Sequence, residues 1–269
     1  MMNYAKRGAA LLLALQLAPG SAAAAEEQAP VDPPTVQLQR IEVTGSAIRR
    51  VDAETAVPIS VLRAEELRQQ GVTSTEELIG RLSGNQGVYN SSRSVGSATG
   101  GASFADLRGI GANKTLVLLN GRRLANNAID GSAVDLNTIP FAAIDRVEVL
   151  RDGASAQYGS DAIAGVINVI LKSADSGGSA AADVGQTGDG DGFTHGGGGN
   201  IGLAFGDSGF VNLTAEYREQ ERTMRSGIDE RTGRRDNISM GDPAFHRQSL
   251  ALNSGFGLGD DIEVYGFGT

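Results

Sequence analysis

Hydrophobic and polar positions change rhythm twice along this chain, near residue 51 and again near Gly178. Between those points the apolar runs are short and mixed in period. Val57–Leu62 (VPISVL) reads as a strand, and Ala64–Gln70 as a short helix that stops at Gly71. Thr73-Ser74-Thr75-Glu76 has the form of a capping box, with Leu78 and Leu82 stacked on one face of the helix it opens. Thr115–Leu119 (TLVLL) is a buried type of strand, Asn120-Gly121 a hairpin turn, and Arg122–Leu124 the return. Ile139-Pro140 leads into a helical piece, Phe141–Ile144. Two β-branched strands, Val147–Leu150 and Val166–Leu171, flank a connector rich in Gly, Ser and Ala. In the first, Val147 and Val149 share one face, while Arg146, Glu148 and Leu150 share the other. The pattern predicts a compact unit of helices and sheet with a modest core.

Beyond Gly178 the alternation becomes regular. Asn200–Gly206 puts Ile201, Leu203 and Phe205 on one face. Phe210–Arg218 sets Val211, Leu213, Ala215 and Tyr217 against Asn212, Thr214, Glu216 and Arg218. Gln248–Phe256 and Ile262–Gly268 are weaker copies. Alternation over about 10 residues, with apolar side chains out and polar ones in, marks strands of a membrane barrel. The links run long (about Thr187–Gly199), tight (206–209), long (about Thr223–Pro243) and tight (257–260). External loops are long and inner turns short in such barrels. About five strands are present, too few to close, so an open and partly detached sheet is expected.

Composition narrows the reading. Lys6 and Arg7 precede an apolar run, Ala9–Ala18, and small residues end at Ala25. These are the parts of a secretory signal over 1–25, cut after Ala25. The chain has no Cys and a net charge of −9, which removes thiolate chemistry and disfavours a nucleic-acid partner. Residues 26–40 are polar and Pro-punctuated, as in a tether. Ile41-Glu42-Val43-Thr44-Gly45-Ser46 then favours an extended run ended by Gly45, which by itself reads as an ordinary edge strand.

The segment from Ile139 to Lys172 resembles the closing part of the plug domain of TonB-dependent outer-membrane receptors, and Phe104–Leu124 (FADLRGIGANKTLVLLNGRRL) resembles its middle. The resemblance implies an α+β plug domain over 51–173, followed by 174–269 as the first antiparallel transmembrane β-barrel strands of an incomplete barrel. It implies a receptor that imports a scarce solute (siderophore, cobalamin or oligosaccharide class) across the outer membrane of a Gram-negative bacterium, its plug facing the periplasm. A TonB-type energy-transducing protein would be the partner. Ile41–Ser46, within a periplasmic tether over 26–50, then matches the TonB box, a free strand captured by main-chain pairing. Arg108 and Arg151 match two plug arginines that carboxylates on the barrel wall hold as a latch. Asp152 stands where the family often has Gly directly after the second arginine. Such plugged barrels use 22 strands, so the resemblance makes this chain the front end of a longer protein. Polar loops Asn85–Gly101 and Asn126–Ser132 would face the solute.

Other chemistries fit poorly. Gly109-Ile110-Gly111-Ala112-Asn113-Lys114-Thr115 has Asn113 where a phosphate loop needs Gly, and a strand rather than a helix follows. No G-x-S-x-G occurs, so no hydrolase elbow is present. His195 and His246 lie far apart and lack partners for a metal site, and Asp189 and Asp191 lack the further ligands of a calcium loop. The reading is therefore of a binding and gating protein, not an enzyme, with no catalytic residue, metal or cofactor. The alternative is a non-transporting outer-membrane or secretion protein with a small barrel. A signalling receptor of the same family would need a further folded domain, for which 26–40 is too short.

Overall fold

The computed structural model describes residues 59–86, 91–92, 101–128, 131–151, 155–206, 209–234, 241–258 and 262–269. The signal segment, the tether with Ile41–Ser46, and Asp152 lie outside the described residues.

The first sheet holds β1 (Ile59–Arg63), β2 (Thr115–Leu119), β3 (Arg122–Arg123), β4 (Ile144–Leu150) and β5 (Gly165–Leu171), in the order β1-β4-β5-β2-β3. Only β2 and β5 run parallel; the other pairs are antiparallel. Every residue of β5 is buried, as its unbroken apolar run requires of a central strand. The β2–β3 hairpin turns at Asn120 and Gly121, both at positive φ, the geometry that Asn-Gly adopts most readily. Helices α1 (Ala64–Gln69) and α2 (Thr75–Gly80), with the 3-10 turn Phe141–Ala143, cover one face. Leu78, Ile79, Phe141, Val147, Val149 and Ile167 meet there in the main core. The other face packs Leu116, Leu118 and Val166 under Ala162 and Tyr158, beside the short helix α3 (Ser155–Tyr158). Glu148 is buried on that face, held by Arg146 Nε at 3.0 Å and Asn168 Nδ2 at 3.3 Å.

The cap of α2 sits one residue later than its sequence pattern suggests. Ser74 is the N-cap and accepts from Glu77 N, while Glu77 Oε2 accepts from Thr73 N at 2.8 Å. Ser74 and Glu77 keep the required spacing of three, and Glu76 turns instead to the hydroxyl of Ser91.

The second sheet is a meander: β6 (Gly178–Gly185), β7 (Thr194–Phe205), β8 (Gly209–Gln220), β9 (Phe245–Leu258) and β10 (Ile262–Gly268). All its pairs are antiparallel, in the order β10-β9-β8-β7-β6. Twelve to fourteen residues in β7, β8 and β9 give roughly 40 Å of strand, enough to cross a bilayer core at a tilt. The long-tight-long-tight order of links holds. The first link is shorter than expected, however, because Gly196–Gly199 lie inside β7, paired on both sides. The sheet is open, as expected, but it is not detached: Ala251 of β9 belongs to the main core beneath α1 and α2.

Candidate functional site at the seam between the sheets

The second sheet inverts the usual burial order. On β8 the polar side chains are hidden, with Asn212 2%, Thr214 5% and Arg218 7% exposed. The apolar ones face out, with Leu213 of β8 45% and Leu250 of β9 74% exposed. Ile201, Leu203 and Phe205 lie outward on β7 in the same band. Aromatic rings flank the band. Phe205 and Phe256 meet edge-on at 5.6 Å near one end, and Phe193, His195 and Tyr217 follow one another at 5.7 and 5.9 Å near the other. An apolar girdle between aromatic rims is the outer surface of a membrane barrel. No helix among the described residues is long and apolar enough to cross a membrane.

The polar inner face lies against the first unit, and its side chains bind main-chain atoms there. Glu216 Oε2 accepts from Ala142 N at 2.9 Å. Arg218 Nη2 donates to Thr73 O at 2.7 Å and to Asp183 Oδ1 on β6 at 2.8 Å. Asn253 Nδ2 donates to Lys172 O at 3.0 Å, and Asn120 Nδ2 donates to Asn253 Oδ1 at 3.1 Å. Asn212 Nδ2 donates to Ala174 O. Each bond that involves a charged group contributes about 1.5–3 kcal/mol when formed, and a buried partner left alone costs as much.

The glycines of β7 make these contacts possible. Asp183, Gly196 and Arg218 stand in one row across three strands, so the missing side chain at Gly196 lets Arg218 reach Asp183. A Cβ on Gly198 would lie 2.9 Å from Ala142 Cβ, and one on Gly202 would strike Ala174 O. Lys172, between β5 and β6, donates through Nζ to Ser179 Oγ at 3.0 Å. Burial pushes its pKa down, the nearby Arg68 adds to that, and Glu65 and Asp145 oppose it.

The two arginines singled out in the sequence come together on the first unit. Arg108, at φ 66, donates through Nη2 to Arg151 O at 2.6 Å, and Arg151 Nη2 donates to Ser83 Oγ at 2.6 Å. Arg151 Nε is buried without a hydrogen-bond partner among the described residues. The seam residues Glu216, Arg218 and Asn212 were legible only as a polar face and Asn253 only as part of a weaker copy of that pattern; nothing in the sequence marks Thr73 or Ala142 as their targets. A cavity of about 880 Å³ opens between the loops of the first unit and the start of β9. Ser92, Gly101 and Asn127, from the two polar loops expected to face solute, line it together with Asp135, Phe245 and Arg247.

Above the sheet, the β6–β7 link is clasped to the β8–β9 link. Asp191 accepts from Arg225 Nη1 at 2.8 Å, Met224 N at 2.7 Å and Thr187 Oγ1 at 2.5 Å. These donors, the Thr187 hydroxyl first, hold its carboxyl well below the usual range.

Comparison with known proteins agrees with this architecture. Residues 51–166 match the TonB-dependent Receptor Plug Domain. The chain is 32% identical over 218 residues to the vitamin B12 transporter BtuB of Photobacterium profundum, covering 81% of this chain and 33% of that one. The siderophore receptor PirA from Acinetobacter baumannii superposes with a TM-score of 0.57 at 23% identity, over 76% of this chain and 29% of that one. A mutant ferric enterobactin receptor, PfeA of Pseudomonas aeruginosa, gives 0.56 at 18% identity, over 77% and 32%. The chain thus spans about a third of the length of these proteins. The first unit is a plug domain and the second sheet is barrel wall, and the chain belongs to the TonB-dependent receptors.

Proposed function

We propose that the protein acts in the outer membrane of a Gram-negative bacterium as a TonB-dependent importer of a scarce solute, of siderophore, cobalamin or oligosaccharide class. Its plug faces the periplasm and its energy comes from a TonB-type partner. The inverted second sheet carries this reading: a wall that is apolar outside and polar inside has a globule seated against its inner face. A small barrel of a non-transporting protein has no need of such a stopper. The relatives named for vitamin B12, siderophore and ferric enterobactin lend support to the solute classes. The cavity between plug loops and β9 is where the solute meets the plug.

Ile41–Ser46 serves as the TonB box, joined to β1 by residues 47–58. Arg108 and Arg151 serve as a latch toward wall carboxylates, and the unsatisfied Arg151 Nε is the donor that such a carboxylate completes.

The test uses cells lacking their own receptors and expressing the complete reading frame. Cyanocobalamin and ferric enterobactin are the first probes, and energy-dependent uptake of either is the expected result. Val43→Pro removes a ladder donor, so uptake is lost while surface binding stays. Loss of both would count against coupling at this segment. Arg108→Ala with Arg151→Ala loosens the plug; unchanged uptake together with unchanged leak would sink the latch.

A further inference from the structure

The bonds across the seam have a common feature. Glu216, Arg218, Asn212 and Asn253 all reach main-chain atoms of the plug or of the segment leading out of it: Ala142 N, Thr73 O, Ala174 O and Lys172 O. Such bonds hold the fold of the plug itself, whatever its side chains. Three of the four wall groups lie on β8, where Asn212 and Arg218 stand about 20 Å apart, so the grip resists tilting as well as sliding. Between those bonds the seam is tight at two points. Gly198 and Gly202 let the plug approach so closely that an added Cβ would meet Ala142 Cβ or Ala174 O. At these two points neither water nor solute fits, and parting the seam takes the Ala142 donor from Glu216 and the Thr73 acceptor from Arg218.

We infer that this seam stays closed throughout the working cycle: β7 and β8 are the fixed seat of the plug, and the solute passes along another of its flanks. The inference rests on the transport reading above and adds to it where the passage is not.

Residues 1–269 contain no Cys, so Ala142→Cys with Gly198→Cys, made in the complete receptor with any Cys of its remaining length changed to Ser, gives a single thiol pair. Their Cβ atoms would start 2.9 Å apart and settle near the roughly 3.8 Å of a disulfide. Cross-linking is followed in intact cells with diamide, with and without an uncoupler. A fixed seat gives a cross-link in most copies, at rates equal within about twofold in energised and de-energised cells. Oxidised receptor then imports cyanocobalamin or ferric enterobactin within about twofold of the reduced form. Failure to cross-link in membrane-inserted receptor overturns the inference. So does cross-linking slowed about tenfold by energisation, or an uptake loss of that size that dithiothreitol reverses. If the native receptor imports neither probe nor an oligosaccharide such as maltoheptaose, the transport reading fails, and the two cross-linking rates still decide the seat. Should the thiol pair not reach the membrane, Glu216→Ala with Arg218→Ala replaces it. The seat then predicts entry of vancomycin raised about tenfold, and unchanged entry overturns it.

Discussion

Gly165 and Arg218 show how much one position can decide. Gly165 opens β5 at φ 142, and a Cβ there would lie 2.6 Å from Leu150 O. Gly165→Ala therefore meets both a strained backbone and a carbonyl that cannot move, at a cost of about 2–4 kcal/mol. Calorimetry of the detergent-solubilised receptor should show the plug transition falling while the barrel transition stays. At Arg218 the side chain does the work. Arg218→Met keeps the bulk but leaves Asp183 and Thr73 O without a donor, a loss of about 1–3 kcal/mol on the same transition. Gly165 was readable as a special position from its place in a Gly-rich connector. Arg218 was not, because alternation assigns a face and says nothing about what stands opposite it.

At the scale of elements, local chemistry explains where structure starts and stops. Ser74 caps α2, a helix of six residues that is too short to hold by propensity alone. Ser74→Ala should cost about 1 kcal/mol, read as faster amide exchange over Thr75–Gly80. The cap fell one residue from its expected place because two overlapping Ser/Thr-x-x-Glu patterns share the segment, and Glu76 was drawn away by Ser91. The loop clasp at Asp191 has a definite acid response. A carboxyl held below its ordinary value adds stability that is fully present above about pH 4 and is lost as pH falls through the lowered value. The clasp should keep its full strength from neutral pH down to about 4 and weaken progressively in stronger acid. Pepsin at pH 2 should then cut within 221–244 faster in the native receptor than its acid activity alone explains. Asp191→Asn should expose the same sites to a neutral protease.

For the whole molecule, the plug and the wall are legible in the sequence at different depths. The wall strands follow from period-two alternation, the central plug strands from short unbroken apolar runs, and the parity of tight and long links from turn residues alone. The glycine run of β7 misled: four glycines with no side-chain pattern read as a loop, yet neighbours on both sides hold them in register. The role of Gly198 exists only because the plug approaches β7 at Ala142. Filling that gap has a large-scale effect. Gly198→Leu wedges the plug from its wall, and cells should become more sensitive to vancomycin, about tenfold in inhibitory concentration. A second change, Ala142→Gly, should recover part of that loss.

By itself the sequence determined which faces are apolar, where strands turn, and that a globule of mixed helices and strands precedes a membrane wall. Those are local properties, set by side-chain period, turn chemistry and capping. The tertiary structure alone decided that Glu216 meets Ala142, that Arg218 spans Gly196 to reach Asp183, and that Arg108 and Arg151 stand together. Such contacts join residues tens of positions apart, and only the docking of one sheet on another fixes their distances.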